Sequence, residues 1–292
     1  QLMNSKNMTK HLAWKLNDWV ESIDEPEVAK AIKENAIVTG GALVSLLTDE
    51  PPNDYDIYFK TFDSCLLVAD YYAKKWNETH PDKSQVTIKD TDGRITAFIA
   101  SVGIAMEDNE NGIDDETEPF VSDESGEKEI EEKPKYRPRY FSTNAISLSD
   151  KIQLVIRFYG SVDEIHTNYD FIHCTCSYDF KENKVNLPAR ALEAIINKEL
   201  YYTGSKYPLC SIIRSRKFIK RGWFINAGQY LKMCLQLNEL NLKDLNVFED
   251  QLAGVDSLYF SQAIKAIKKR QEEEPDFAID NTYLFEVINR IF

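Results

Sequence analysis

The chain has 292 residues, 43% hydrophobic and 12% aromatic, a composition that fits one large or two modest folded domains and excludes an intrinsically disordered protein. Its net charge of −13 is local: residues 107–132 hold thirteen acidic residues against Lys128 alone, a charge of −12. The other 34 basic and 35 acidic residues nearly cancel, so the acidity does not exclude a nucleic-acid partner for the folded part.

In chain order, residues 11–22 place Leu12, Leu16, Trp19 and Val20 at helical spacing, and 27–34 read as a second, short helix. Residues 36–39 form a short apolar run that ends in Gly40-Gly41. A helix over 42–47 follows, and Pro51-Pro52 bars its continuation. A strand is expected over 55–59, a helix over 61–77, and two strands over 85–89 and 95–102 around the turn Asp92-Gly93. The acidic stretch, taken as 107–135, lacks hydrophobicity and periodicity and reads as a disordered insertion joining two paired strands. The second of these is 140–148, followed by a strand over 152–158, a short helix over 163–168 and a strand over 169–177. After Asn186-Leu187-Pro188 helical patterns take over, at 189–201, 208–221, 226–238, 243–251, 259–273 and 281–292. The expected fold class is α+β, with a mixed-sheet head over 1–180 and an all-helical domain over 188–292.

No apolar run approaches the roughly 18 residues of a membrane-spanning helix, and the first fifteen residues hold no signal-peptide segment. A soluble cytoplasmic protein is expected. Five scattered cysteines without a C-x2-C pair point to reduced, mostly buried thiols rather than disulfides or a structural zinc site. His166, His173, Cys174 and Cys176 cluster in sequence but lack a zinc-like spacing. On a strand over 169–177, Cys174 and Cys176 would face one way and His173 the other.

The chemistry concentrates in two pieces, Val38-Thr39-Gly40-Gly41-Ala42-Leu43 and Pro52-Asn53-Asp54-Tyr55-Asp56-Ile57, with twelve residues between Gly41 and Asp54. Side chains two apart on a strand leave the same face, so Asp54 and Asp56 bring two carboxylates together. Such a pair repels itself unless a cation lies between, and its hard oxygens suit Mg2+ or Mn2+. Glycines where a strand gives way to a helix let backbone N–H groups approach a phosphate. A D-x-D or a Gly-Gly alone is common in turns; together they fit metal-assisted phosphoryl or nucleotidyl transfer.

This pattern resembles the nucleotidyltransferase superfamily related to DNA polymerase β. It is most similar to the head of class II CCA-adding enzymes and bacterial poly(A) polymerases, with Arg139-Tyr140-Phe141-Ser142-Thr143-Asn144-Ala145-Ile146 like a second motif of that group. The chain also looks like a divergent member of the kind found in tailed phages, which would act in the host cytoplasm. The family's Arg-Asp after the glycines is Val44-Ser45 here, its Arg-Arg-Asp is Pro138-Arg139-Tyr140, and no Glu-Asp-x-x-Arg motif is present, so CCA specificity is not implied.

The resemblance implies transfer of a nucleoside monophosphate from a nucleoside triphosphate to an acceptor hydroxyl, most readily an RNA 3′ end, with release of pyrophosphate. Asp54, Asp56 and Asp170 would hold Mg2+ or Mn2+ and serve catalysis. Gly40, Gly41, Ala42, Arg139 and Lys217 would bind the nucleotide. Arg214, Lys217 and Arg221, at helical spacing on one face, would meet an RNA backbone. The alternatives are a catalytically silent member acting as a structural or binding protein, such as a virion component, and an enzyme that transfers AMP to protein.

Overall fold

The computed structural model describes residues 3–99, 105–106, 133–252 and 257–291. The acidic stretch, with its expected disorder, lies outside the described residues except at its basic end.

Helix α1 (Ser5–Glu21) starts at Asn4, whose side chain accepts the Asn7 N–H at 2.9 Å. It buries Leu12, Leu16 and Trp19, and α2 (Pro26–Asn35) follows with proline in its first turn. Next come β1 (Ala36–Thr39), α3 (Gly41–Leu47), β2 (Tyr55–Phe59) and α4 (Phe62–Thr79), the last capped by Thr61. Strands β3 (Val86–Thr91) and β4 (Arg94–Ile99) form a separate hairpin. Its turn residues Asp92 and Gly93 both have positive φ, which is why Asp-Gly suits it.

The expected strand over 140–148 is instead two strands, β6 (Pro138–Phe141) and β7 (Ala145–Leu148), folded back at Ser142. Strand β5 (Ala105–Met106) pairs with β6, so the two ends of the acidic insertion do leave from neighbouring strands. Strand β8 (Ile152–Tyr159) runs parallel to β2, and the other pairs in this sheet are antiparallel. With β9 (Ser177–Asp179) and β10 (Lys184–Asn186) the order is β10-β9-β1-β2-β8-β7-β6-β5, an eight-stranded mixed sheet.

Between α5 (Val162–His166) and β9 the expected strand over 169–177 does not form. Residues Ile172–Thr175 make a 3-10 turn, closed by the Thr175 hydroxyl donating to the Ile172 carbonyl at 2.6 Å. Phe171 keeps only an isolated bridge to Tyr202. The apolar run was β-like because it is buried; buried periodicity alone does not separate strand from turn.

The C-terminal helices are α6 (Ala189–Asn197), α7 (Pro208–Lys220), α8 (Ala227–Asn238), α9 (Leu245–Gln251), α10 (Ser257–Glu273) and α11 (Asn281–Ile291). Helix α6 stops short of residue 201 because Lys198 turns left-handed, with φ 50°. The main core spans Trp19, Phe59, Trp76 and Phe141 and extends to Leu200, Tyr202, Trp223 and Met233. A second core joins Leu209 of α7 to Phe248, Ile267 and Val287. No helix among the described residues is long and apolar enough to cross a membrane.

Candidate active site

Two sheet neighbours build the site. Strands β1 and β2 are antiparallel with Val38 opposite Ile57, and continuing that register sets Thr39 and Gly40 beside Asp56 and Tyr55. Gly40 has φ 90° and ψ −140°, a conformation that side chains avoid, and so turns the chain from β1 into α3. A Cβ at Gly40 would lie 3.7 Å from Asp56 Oδ2 and 3.9 Å from the Tyr169 hydroxyl. At Gly41 a Cβ would meet nothing within 4 Å, so the backbone there is open to an approaching ligand. Ala42 is buried beneath it.

Asp54 is exposed, one residue ahead of β2, and Asp56 is half-buried on the strand. The loop that carries Asp54 is pinned from the parallel neighbour: Lys151 Nζ donates to the Pro52 carbonyl at 3.0 Å, and Tyr55 N–H to the Lys151 carbonyl at 2.7 Å.

Behind the glycine turn lies a hydrogen-bonded set that sequence pattern does not mark. The Thr39 hydroxyl lies 2.9 Å from the Cys176 carbonyl, to which it can donate, and 2.7 Å from His166 Nε2, with which it shares a hydrogen bond. Burial holds His166 below the usual imidazole range, hence neutral at pH 7. Tyr169 stacks obliquely on both His166 and Tyr58. Burial, reinforced by Asp56, keeps the Tyr58 phenol protonated; burial, then Tyr58 and Asp56, does the same for Tyr169. Thr39 and Tyr58 flank the two motifs directly and could have been found by strand alternation. Tyr169 and His166 arrive from α5 and the residues after it, more than 120 residues from Thr39; His166 stood out in the sequence only as part of a His/Cys cluster, and nothing local pointed to Thr39.

Asp170 is 4% exposed, and its Oδ1 accepts from Arg214 Nη1 of α7 at 2.8 Å. Among the described residues no group of three or more His, Cys, Asp or Glu side chains is gathered so as to hold a metal, and the Asp170 carboxylate is engaged by Arg214. The Asp170 carboxylate raises the Arg214 pKa still further and fixes the guanidinium. Arg214 is thus not one of a uniform solvent-facing row with Lys217 and Arg221, which are exposed. His173 and Cys174 do not face apart as on a strand: Cys174 Sγ lies 3.4 Å from His173 Nε2, and both are buried. Arg139 sits half-buried on β6, three strands from β2 and so about 14 Å across the sheet. Lys217 is one helical turn beyond Arg214. The structure therefore brings Gly40 and Asp56 together and sets Arg139 across the sheet from them, with Lys217 exposed on α7.

A family model for Gabija anti-defense 2 family proteins matches residues 10–198. The chain belongs to the Gabija anti-defense 2 family. A curated relative, Gabija anti-defense 2 of Bacillus phage SPbetaL7, is 21% identical over 276 residues, covering 91% of this chain and 55% of the relative. The chain thus spans about half the length of the relative it matches. Similar solved structures include the Thermotoga maritima CCA-adding enzyme complexed with tRNA, at 12% identity and a TM-score of 0.41, covering 97% of this chain and 58% of that one. Another is the Bacillus stearothermophilus CCA-adding enzyme with CTP, at 12% identity and a TM-score of 0.39, covering 82% of this chain and 50% of that one.

Proposed function

We propose that this Gabija anti-defense 2 family member is a metal-dependent nucleotidyltransferase, phage-encoded and acting in the host cytoplasm against the Gabija defence. The observation that carries the reading is the close approach of the Gly40 turn to the Asp56 carboxylate, which sets the glycine turn beside one carboxylate of the acidic pair. Asp54 and Asp56 offer hard oxygens that suit Mg2+ or Mn2+, with water and phosphate oxygens completing the shell. The bound cation would supply charge neutralisation of the triphosphate and activation of the attacking hydroxyl. The Gly40 and Gly41 N–H groups, with Ala42, would receive phosphate oxygens. The Thr39–His166 pair and the two protonated phenols keep the turn and Asp56 in register. Asp170 is a positioning residue in this reading: it orients Arg214.

The chemistry joins an acceptor hydroxyl oxygen to the α-phosphorus of a nucleoside triphosphate and breaks the bond to the β-phosphate bridging oxygen, so pyrophosphate leaves. The proposed acceptor is an RNA 3′ end, because α7 and its cap expose Arg216, Lys217, Lys220 and Arg221. The test incubates the chain with each radiolabelled triphosphate, Mg2+ or Mn2+, and RNA, DNA and protein from Gabija-bearing cells. Label in RNA supports the reading, and label in a protein transfers the activity to a protein hydroxyl. If an Asp56→Asn chain still protects against Gabija and no species takes up label, the protein acts by binding alone.

A further inference from the structure

We infer a second ligand site, for a nucleotide's base and phosphate, in a cavity of about 600 Å³ at the far end of β2 and β8 from Gly40. Asp56 and Lys60 are four residues apart along β2 and its extension, about 13 Å. Between them α5 packs Ile165 onto Ile37 and Tyr58, which separates the cavity from the site above. The proposal stands without the nucleotidyltransferase reading.

Three cationic residues from three separate elements line the cavity: Lys60 after β2, Arg94 at the start of β4 and Arg157 on β8, the last with Asp250 3.9 Å from its guanidinium. Two are already oriented. Lys60 Nζ lies 2.7 Å from Asp179 Oδ2, and the Arg157 guanidinium donates to the Tyr207 hydroxyl, with its side chain only 11% exposed. No hydrogen bond or ion pair engages the Arg94 side chain among the described residues, so its guanidinium fork is available to an anion. The acidic lining residues are Asp92 and Glu164, and one Glu164 oxygen is taken up by the Ser161 N–H at 2.7 Å.

Three aromatic residues stand among the remaining lining, beside Thr61, Gly93 and Gly160. Phe62, Phe158 and Tyr159 line the cavity, with Phe62 edge-on to Tyr159 and Tyr159 fixed by donating to the Gly93 carbonyl at 2.8 Å. The 18-residue helix α4 begins at this wall, directly after Thr61, and its N-terminal end favours negative charge. An open groove of this volume, with aromatic side chains on its walls and cations beside them, matches a base laid against the aromatic rings with its phosphate at Arg94. That chemistry belongs equally to a free nucleotide and to one unit of a single-stranded chain.

The experiment measures binding of AMP, inorganic phosphate and hexa-adenylate to the full chain in EDTA, which silences any metal-dependent triphosphate site. Wild type and Asp56→Asn are expected to bind AMP alike, more tightly than phosphate alone. Arg94→Glu, an exposed change on a hairpin, is expected to weaken AMP by about tenfold or more, because one charge-assisted hydrogen-bonding group is removed. Phe158→Ala is expected to erase the preference for AMP over phosphate. Hexa-adenylate bound more tightly than AMP, and lost in Arg94→Glu, assigns the cavity to a nucleic-acid strand; equal affinity assigns it to a free nucleotide. AMP binding unchanged in Arg94→Glu, or lost in Asp56→Asn, overturns the second site, and so does no binding of either ligand to a wild-type chain whose thermal melt is cooperative.

Discussion

At the scale of single residues the site depends on a glycine that cannot be replaced and a carboxylate beside it. Gly40→Ala would put a side chain at φ 90°, a strain of about 1–3 kcal/mol. The new methyl group would sit against Asp56 Oδ2. The expected result is a lowered melting temperature together with a loss of nucleotidyl transfer, whereas Gly41→Ala, facing open space, should keep the stability and lose affinity for the triphosphate. Asp56→Asn should abolish transfer and leave the melt unchanged; near-full activity in that variant would remove the acidic pair from the mechanism. The doublet and the acidic pair were legible because their chemistry is local: a strand end, a turn and a strand start, with Pro51-Pro52 marking the break between them. Tyr169 and His166 were not, because their role arises only when α5 folds back across the sheet onto Thr39.

At the scale of elements, one ion pair fastens α7 to the segment after α5. Asp170 is buried, so removing Arg214 strands a carboxylate without its cation. Since the Arg214 side chain is 40% exposed, water softens the penalty, and about 2–3 kcal/mol is expected for Arg214→Ala in denaturant unfolding. Asp170→Asn combined with Arg214→Leu should recover part of that loss, which a simple packing defect would not. Sequence pattern marks the helix α7, but charge periodicity could not tell that Arg214 reaches a buried carboxylate 44 residues away. The same buried region misled the strand reading over 169–177, where the apolar residues serve a 3-10 turn. His173 in that turn packs against Phe218 and Trp223, and burial, aided by Arg214, pushes its pKa down to about 3. The folded state therefore refuses a proton that the unfolded chain accepts near pH 6.5. Stability from this group is complete above that pH and falls as the pH drops from about 6.5 toward 3, by at most about 1.4 kcal/mol per unit. Comparing His173→Phe with wild type at pH 7 and pH 5 should show a smaller loss in the variant; parallel losses would mean that other groups set the acid limb.

At the scale of the whole molecule, the acidic insertion and the basic face of α7 are the two strong charge concentrations, and charge pattern alone leaves their relation open. Residues 107–132 carry −12, and their ends leave from the paired strands β5 and β6 at the edge of the sheet. Adjacent antiparallel strands can be joined by a short turn, so deletion of 107–132 should preserve the fold; loop shortening changes closure entropy only slowly. At 0.15 M salt the Debye length is about 8 Å, so an insertion acting only as a solvated tether leaves RNA affinity unchanged. An insertion that occupies the basic face as a nucleic-acid mimic behaves differently: its removal raises RNA affinity, most at low salt. The discriminating measurement is the salt dependence of binding for four chains. Replacing Lys217, Lys220 and Arg221 with alanine should lower the log–log slope by about 0.7 for each single-strand phosphate that is no longer neutralised, with or without the insertion. If the tether description holds, deletion shifts neither slope nor intercept, and the two changes are independent. If deletion steepens the slope only while those three cations are present, the insertion competes with RNA for α7.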